Sequence, residues 1–175
     1  MTRPSHPSLL ARSFPPIAGP DAWLLILGSM PGRVSLAMQQ YYAHPRNAFW
    51  TILGELFGAE PELSYGQRQK ILIQQGVAVW DVLQQCHRPG SLDGQIERDS
   101  EIANDLPHFL DNHPRIGRIL FNGQKAEGAF RKHCVGPLGQ RAARLTLLRV
   151  PSTSPAHASL TWQQKLAAWR QAVEG

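Results

Sequence analysis

Four short apolar runs punctuate the chain: Trp23–Leu27, Val77–Leu83, Ile116–Phe121 and Leu145–Val150. Runs of this length without polar alternation are what strands buried on both faces produce. Helical spacing fills the intervals. Phe49, Ile52, Leu53 and Leu56 stand at i, i+3, i+4 and i+7, and Gly58 is placed to stop that helix. Further helices are predicted over Gln67–Gln75, Ser100–Asp111 with a break near Pro107, Gln124–Lys132, and Thr161–Val173 with Thr161 as N-cap. Each strand-to-strand interval has room for a helical crossover. The pattern therefore predicts an α/β fold, a parallel sheet of these four strands with helices on both faces. No repeat or interdomain linker interrupts it, and 1–175 reads as one domain. The proline-rich start, residues 1–20, with Pro4, Pro7, Pro15, Pro16 and Pro20, reads as an irregular or partly disordered strap.

Composition narrows the class. A chain of 175 residues, 42% apolar and 18% charged, is long enough for a real core and too apolar to be disordered. Its longest purely apolar run, Ala22–Leu27, falls far short of the roughly 20 residues of a membrane helix. Met1–Pro20 has no continuous apolar stretch of the secretory kind. Two cysteines, Cys86 and Cys134, cannot build a disulfide framework or supply four ligands to an iron–sulfur cluster. The seven histidines make no HExxH pattern. A cytoplasmic protein without metal or cofactor is expected.

The charge is uneven. Of 18 Lys and Arg, eight fall between residues 112 and 149 with only Glu127 against them, whereas 50–111 is acidic. A basic block suits a polyanion such as nucleic acid, because phosphate neutralisation dominates that affinity. A solvated basic face without a partner is the other reading.

Open α/β sheets bind ligands outside the carboxyl ends of their strands. Those ends are Gly28-Ser29-Met30-Pro31-Gly32, Asp81–Gly94, Asn122-Gly123 and Pro151–His157. The first lacks the GK[ST] ending of a P-loop and is not GxGxxG, and no GxSxG elbow occurs anywhere. Gly28 and Gly32 alone would mark no more than a tight turn.

In combination the loops say more. Gly28-Ser29-Met30-Pro31-Gly32, then Tyr42-Ala43-His44-Pro45-Arg46-Asn47-Ala48-Phe49-Trp50, then Pro151-Ser152-Thr153-Ser154-Pro155-Ala156, resembles the uracil-DNA glycosylase superfamily. The order is similar to the mismatch-specific uracil/thymine glycosylases, and the wording to the hypoxanthine-DNA (deoxyinosine) glycosylase branch, across roughly residues 23–160. The resemblance implies a three-layer α/β/α fold on a four-stranded parallel sheet. It also implies a DNA partner carrying a deaminated base, bound by a monomer. Met30 departs from the superfamily's usual Asp or Asn at the third position of the first loop, and it can neither take a proton nor hold water. Val150 stands where His or Asn commonly precedes Pro-Ser. Both departures remove polar groups used on uracil, and Asn47, which the hypoxanthine branch uses for catalysis, remains.

N-glycosidic cleavage builds positive charge on the sugar and negative charge on the departing base. The Asn47 carbonyl can hold and aim a water, although Asn47 also sits where a helix N-cap would. A base in duplex DNA must be flipped out and read by its edge and face. Gly28, Ser29, Met30, Tyr42, Asp81 and Asn122 are the expected base-binding set. Tyr42 is the stacking aromatic, or else a core residue. Asp81 is the edge reader, or else an N-cap or a partner of Arg88. Asn122 is a second polar contact or the start of a turn, and Ser91 and Asp93 in the neighbouring loop are weaker candidates. Arg33, Ser152, Thr153, Ser154 and His157 are expected to grip DNA, with the Arg141–Arg149 cluster adding phosphate contacts. An ordinary Ser/Thr-rich turn is the alternative for 152–154. No lysine lies in these loops to form a Schiff base, so the resemblance implies a monofunctional hydrolase acting on hypoxanthine. A mismatch-directed uracil/thymine glycosylase, or a binding module without catalysis, is the competing reading.

Overall fold

The computed structural model describes residues 10–175. The strands are β1 (Leu10–Arg12), β2 (Leu24–Gly28), β3 (Val77–Asp81), β4 (Leu83–His87), β5 (Ile102–Ala103), β6 (Arg118–Asn122) and β7 (Thr146–Val150). The helices are α1 (Arg33–Met38), α2 (Phe49–Phe57), α3 (Tyr65–Gln74), α4 (Leu106–Asn112), α5 (Gln124–His133), α6 (Val135–Leu138) and α7 (Trp162–Glu174).

The four expected apolar runs form one parallel sheet in the order β3-β2-β6-β7. Alternate side chains of its strands feed two cores, as the two-residue period requires. Leu25, Leu27, Ala78, Ile119 and Phe121 pack with Leu106, Leu110 and Phe130 of α4 and α5. Leu24, Ile26, Val77, Val79 and Leu120 pack with Phe49, Ile52, Leu53 and Trp169 of α2 and α7. The result is a three-layer α/β/α arrangement. In this order the chain reverses its direction of winding between β2 and β6, which opens a crevice at their carboxyl ends.

Local signals explain most boundaries. Gly58, at φ 82°, ends α2. Ser64 and Thr161 open α3 and α7 with reciprocal capping boxes to Gln67 and Gln164, each satisfying two otherwise orphaned N–H groups. The box starts α3 two residues before the expected Gln67.

Three expectations change. Val77–Leu83 is not one strand: β3 stops at Asp81, and Leu83 begins β4 in a second, antiparallel sheet ordered β1-β4-β5. Polar Gln84, Gln85 and His87 had hidden that one-sided strand. Ser100–Asp111 is not one helix either. It holds a 3-10 turn, β5 and only then α4, with Asp105 as N-cap and Pro107 in the first turn, where its missing N–H costs nothing. The described part of the strap is tied to both sheets: β1 pairs with β4, and Ile17 bridges Val79 in the main sheet. Pro4 and Pro7 lie outside the described residues. No described helix is long and apolar enough to cross a membrane.

Candidate active site

At the crevice the sheet ends enclose a cavity of about 500 Å³, lined by the end of β3 and by the loops after β2, β4, β6 and β7. Gly28, Asp81 and Asn122 reach it from strand ends, Tyr42 and Asn47 from the segment before α2, and Ser152 from the loop after β7.

Its floor is polar and buried. Asp81 is 3% exposed, and its Oδ2 meets no hydrogen-bond partner among the described residues. Burial and the nearby Asp93 carboxylate push its pKa up to about 8, against the pull of Arg88. Its environment thus favours the protonated carboxyl, which can donate, over the carboxylate. Asp93 is likewise pushed up by burial, opposed by Ser29, Arg88 and Lys125. Ser29 Oγ donates to Asp93 Oδ1 at 2.5 Å, tying the first loop to the loop after β4. Arg88 is buried but is no ion-pair partner of Asp81: it donates to the carbonyls of Gly90 and Pro31. Asn104, unnoticed in the sequence, fixes the strand end by donating from Nδ2 to the Asp81 carbonyl at 2.8 Å.

Gly28 is glycine for a reason of space. A Cβ there would stand 2.5 Å from Asp81 Oδ1 and 2.8 Å from Tyr42 Oη. Among the described residues the buried Tyr42 hydroxyl meets no hydrogen bond of good geometry, and the Asn122 amide is the polar group that favours its ionised form. Burial, then the Asp81 charge, drive its pKa far upward, so it stays protonated. The Tyr42 ring stacks on Phe49 with centroids 3.8 Å apart, and its backbone sits at φ 54°, an uncommon conformation for an aromatic residue. Tyr42 thus has the core contact, one ring face lying on Phe49, and also lines the cavity.

Asn47 lines the cavity with its Oδ1 accepting from the Phe49 N–H at 3.0 Å. Ala48 is the formal N-cap, so Asn47 makes a turn that precedes the helix. That bond fixes the side chain and leaves a second carbonyl lone pair and the amide N–H₂. Met30 is 7% exposed and packs with the α4–α5 core while still bordering the cavity.

The loop after β7 needs a correction. Thr153, expected to grip DNA, is 1% exposed and locked to Asn122. Asn122 Nδ2 donates to Thr153 Oγ1, and the Thr153 N–H donates to Asn122 Oδ1, both at 2.9 Å. The Thr153 carbonyl also accepts from the Ala48 N–H at 3.0 Å. This bracket binds the loop to β6 and to the start of α2, and most of the Asn122 amide is used in it. Ser152 and Ser154 are half-buried and make the local turns considered for them, accepting from the Ser154 and Ala156 N–H groups. Beneath them Lys165 of α7, 4% exposed, donates to the Ser154 carbonyl at 3.3 Å. His157 and exposed Arg33 stand on the rim.

The Arg141–Arg149 cluster is placed differently from the expectation. Arg141 and Arg144 lie before β7, at the amino edge of the sheet, away from the cavity, and Arg141 is bound to Asp111. Arg149 pairs with Glu127 at 3.4 Å.

Comparison with known proteins decides the family. Residues 15–174 match the model of the Uracil DNA glycosylase superfamily. The chain belongs to that superfamily. It is 38% identical to a hypoxanthine DNA glycosylase of Methanosarcina barkeri over 116 residues, 66% of this chain and 72% of the relative. It is 36% identical to the protein of the same name from Methanosarcina acetivorans over 119 residues, 67% and 74% of the two chains. A solution NMR structure of a candidate uracil DNA glycosylase from Methanosarcina acetivorans superposes with a TM-score of 0.73 at 30% identity. It covers 94% of this chain and 99% of that one. The superfamily fold expected from the loop motifs is thus the fold observed.

Proposed function

We propose that this superfamily member is a monofunctional DNA glycosylase that flips deoxyinosine out of DNA and hydrolyses its bond to hypoxanthine. The observation that carries the reading is the buried Asp81 carboxyl on the cavity floor, its Oδ2 without a partner among the described residues, beside the buried Tyr42 hydroxyl, with burial favouring the protonated form of both. Two proton donors meeting over Gly28 suit the O6 and N7 acceptors of hypoxanthine. Adenine presents an amino donor in place of O6 and fits them less well. The names of the Methanosarcina relatives point the same way.

In this reading the flipped base enters beside Gly28, Ser29 and Met30 with its edge turned to Asp81 and the Tyr42 hydroxyl. Asn47 holds a water against C1′, its carbonyl aimed by the Phe49 N–H. The rim at Ser152, Ser154, His157 and Arg33 holds phosphates, and Asn122 with Thr153 keeps that rim in place. A monomer suffices, and no cofactor enters.

The test is a panel of duplexes carrying one inosine, uracil, xanthine or thymine mismatch, with alkali cleavage at the abasic site as readout. Inosine should be cut fastest. Preference for uracil or thymine mismatches would favour the mismatch glycosylase reading, and tight binding with no cleavage of any substrate would leave a binding module.

A further inference from the structure

We propose that Asp81 is the catalytic acid of the reaction, passing its proton to the imidazole nitrogen N7 of the departing purine. The inference rests on the hypoxanthine reading above and adds a proton transfer to it.

The geometry singles out this carboxyl. Asp81 closes β3 at the floor of the cavity, and its Oδ2 has no partner among the described residues. Among the described residues no cation forms an ion pair with it: Arg88 donates from Nε and Nη2 to the Gly90 and Pro31 carbonyls, its Nη1 stays unpartnered, and its charge only partly offsets burial and Asp93. Its chain position is fixed at two points, by Asn104 on the Asp81 carbonyl and by the Val82 N–H on the Gly28 carbonyl at 2.8 Å. Gly28 leaves open the space into which Oδ1 projects. A carboxyl buried, unpaired and rigidly aimed into a cavity is a costly arrangement for a structural residue. As a proton donor to a bound ring nitrogen, it has the partner the fold withholds.

The step balances. The C1′–N9 bond breaks and its electron pair leaves with the purine. The Asp81 O–H proton moves to N7, so hypoxanthine departs neutral and Asp81 becomes a carboxylate. Water oxygen bonds to C1′ and releases one proton, and one proton from solvent restores the acid. The charged and titratable groups around Asp81 are Asp93 and Arg88 from the loop after β4, Tyr41 and Tyr42 from the segment before α2, and Tyr65 of α3. His44 and His157 line the same cavity. Asp93 resists ionisation of Asp81 and Arg88 favours it, with burial the largest influence. The acid form is thus the one present at neutral pH and is lost as pH rises through about 8. Uracil has no such ring nitrogen to receive the proton, so the device favours purines over pyrimidines.

The experiment uses the whole protein and two inosine duplexes, one natural and one with 7-deaza-deoxyinosine, in which carbon replaces N7. Single-turnover base release is measured from pH 6 to pH 10. Wild-type release of hypoxanthine should fall tenfold per pH unit above about 8. The 7-deaza base should leave at least about 10²-fold more slowly and without that limb, the scale of a lost general acid. Asp81→Asn should lose about 10²–10⁴-fold on inosine and show no limb near pH 8. A limb absent from the wild-type profile, or equal release of the two bases, overturns the proposal even if Asp81→Asn fails to fold. Those results would leave the hypoxanthine reading intact. If wild-type protein releases no hypoxanthine at any pH, the function and the acid fall together.

Discussion

Asn47 and Asp81 separate chemistry from stability in opposite directions. Asn47 supports the start of α2 through one hydrogen bond to the Phe49 N–H. Its removal should cost about 0.5–2 kcal/mol as a lost cap-like contact. If it also aims the water, Asn47→Ala should lower single-turnover excision by about 10²–10³-fold. Asn47→Asp, still able to hold water, should keep part of the activity. Activity and thermal unfolding measured on the same protein distinguish the two roles, and near-normal excision by Asn47→Ala would remove the catalytic one. Asp81 runs the other way. Its folded pKa, about 8, lies above its ordinary 3.8, so the native state binds the extra proton in between. Stability must then fall as pH rises from about 4 to 8, because ionisation favours the unfolded chain. Asp81→Asn removes that penalty and should raise Tm by roughly 2–6 °C at pH 8. The gain should shrink to nothing near pH 4. A variant less stable than wild type at pH 8 would mean that the carboxyl is compensated in the fold.

At the scale of elements, the loop after β7 depends on a bracket instead of its own sequence. Asn122 at the end of β6 and Thr153 exchange two hydrogen bonds, and Thr153 receives a third from Ala48 before α2. Three elements that close the cavity are thereby held at one residue. Thr153→Val keeps the volume and the backbone bonds but leaves Asn122 Nδ2 without its acceptor. A buried donor left unpaired costs about 1–3 kcal/mol. Urea unfolding should show that loss, with excision weakened through misplacement of the rim. Full stability in Thr153→Val would mean that the amide re-pairs. Gly28 is the second such point: Gly28→Ala forces a methyl against Asp81 Oδ1 and Tyr42 Oη, at 2.5 and 2.8 Å. Activity should be abolished even where the protein still folds, since both donors must move.

Over the whole molecule, carboxylates fold against six of the eight Lys and Arg of the basic block. Arg115 pairs with Asp21, Arg118 donates to the last carbonyls of α7, and Arg131 and Arg149 share Glu127. Lys125, Lys132 and His133 converge on Glu101, whose side chain is 1% exposed. Burial raises the Glu101 pKa, but Lys125, His133 and Lys132 outweigh it and hold the carboxyl down to about 2. The stabilisation is present above the ordinary 4.5 and is lost as pH falls towards 2. Glu101→Gln should cost about 2 kcal/mol, between the values for exposed and buried pairs, and the deficit should narrow in acid. Because those cations already have carboxylate partners, the few at the rim should dominate the contact with duplex DNA. The log–log dependence of affinity on salt should be no steeper than about −4, at about −0.9 per phosphate. A slope beyond about −7 would show that the block leaves its carboxylates for DNA.

Much of this was legible in the chain. Uninterrupted apolar runs identify strands covered on both faces, because only buried strands can be apolar at every position. Thr161, Gly58 and the Gly28–Gly32 loop act through neighbours a few residues away, and such signals survive in one dimension. So does the order of the three loop motifs, which named the superfamily and the edge of the sheet that carries the site. The tertiary structure decided what depends on residues distant in sequence. β4 and β5 are too short and polar to announce themselves, and they exist because β1 and each other supply hydrogen bonds. Thr153 resembles a phosphate-binding hydroxyl until β6, 31 residues earlier, takes its bonds. The cationic block resembles a nucleic-acid surface until Glu101, Glu127, Asp21 and Asp111 fold against it. Residue type alone leaves the protonation of Asp81 open, since desolvation and the approach of Asp93 exist only once the chain has closed around them.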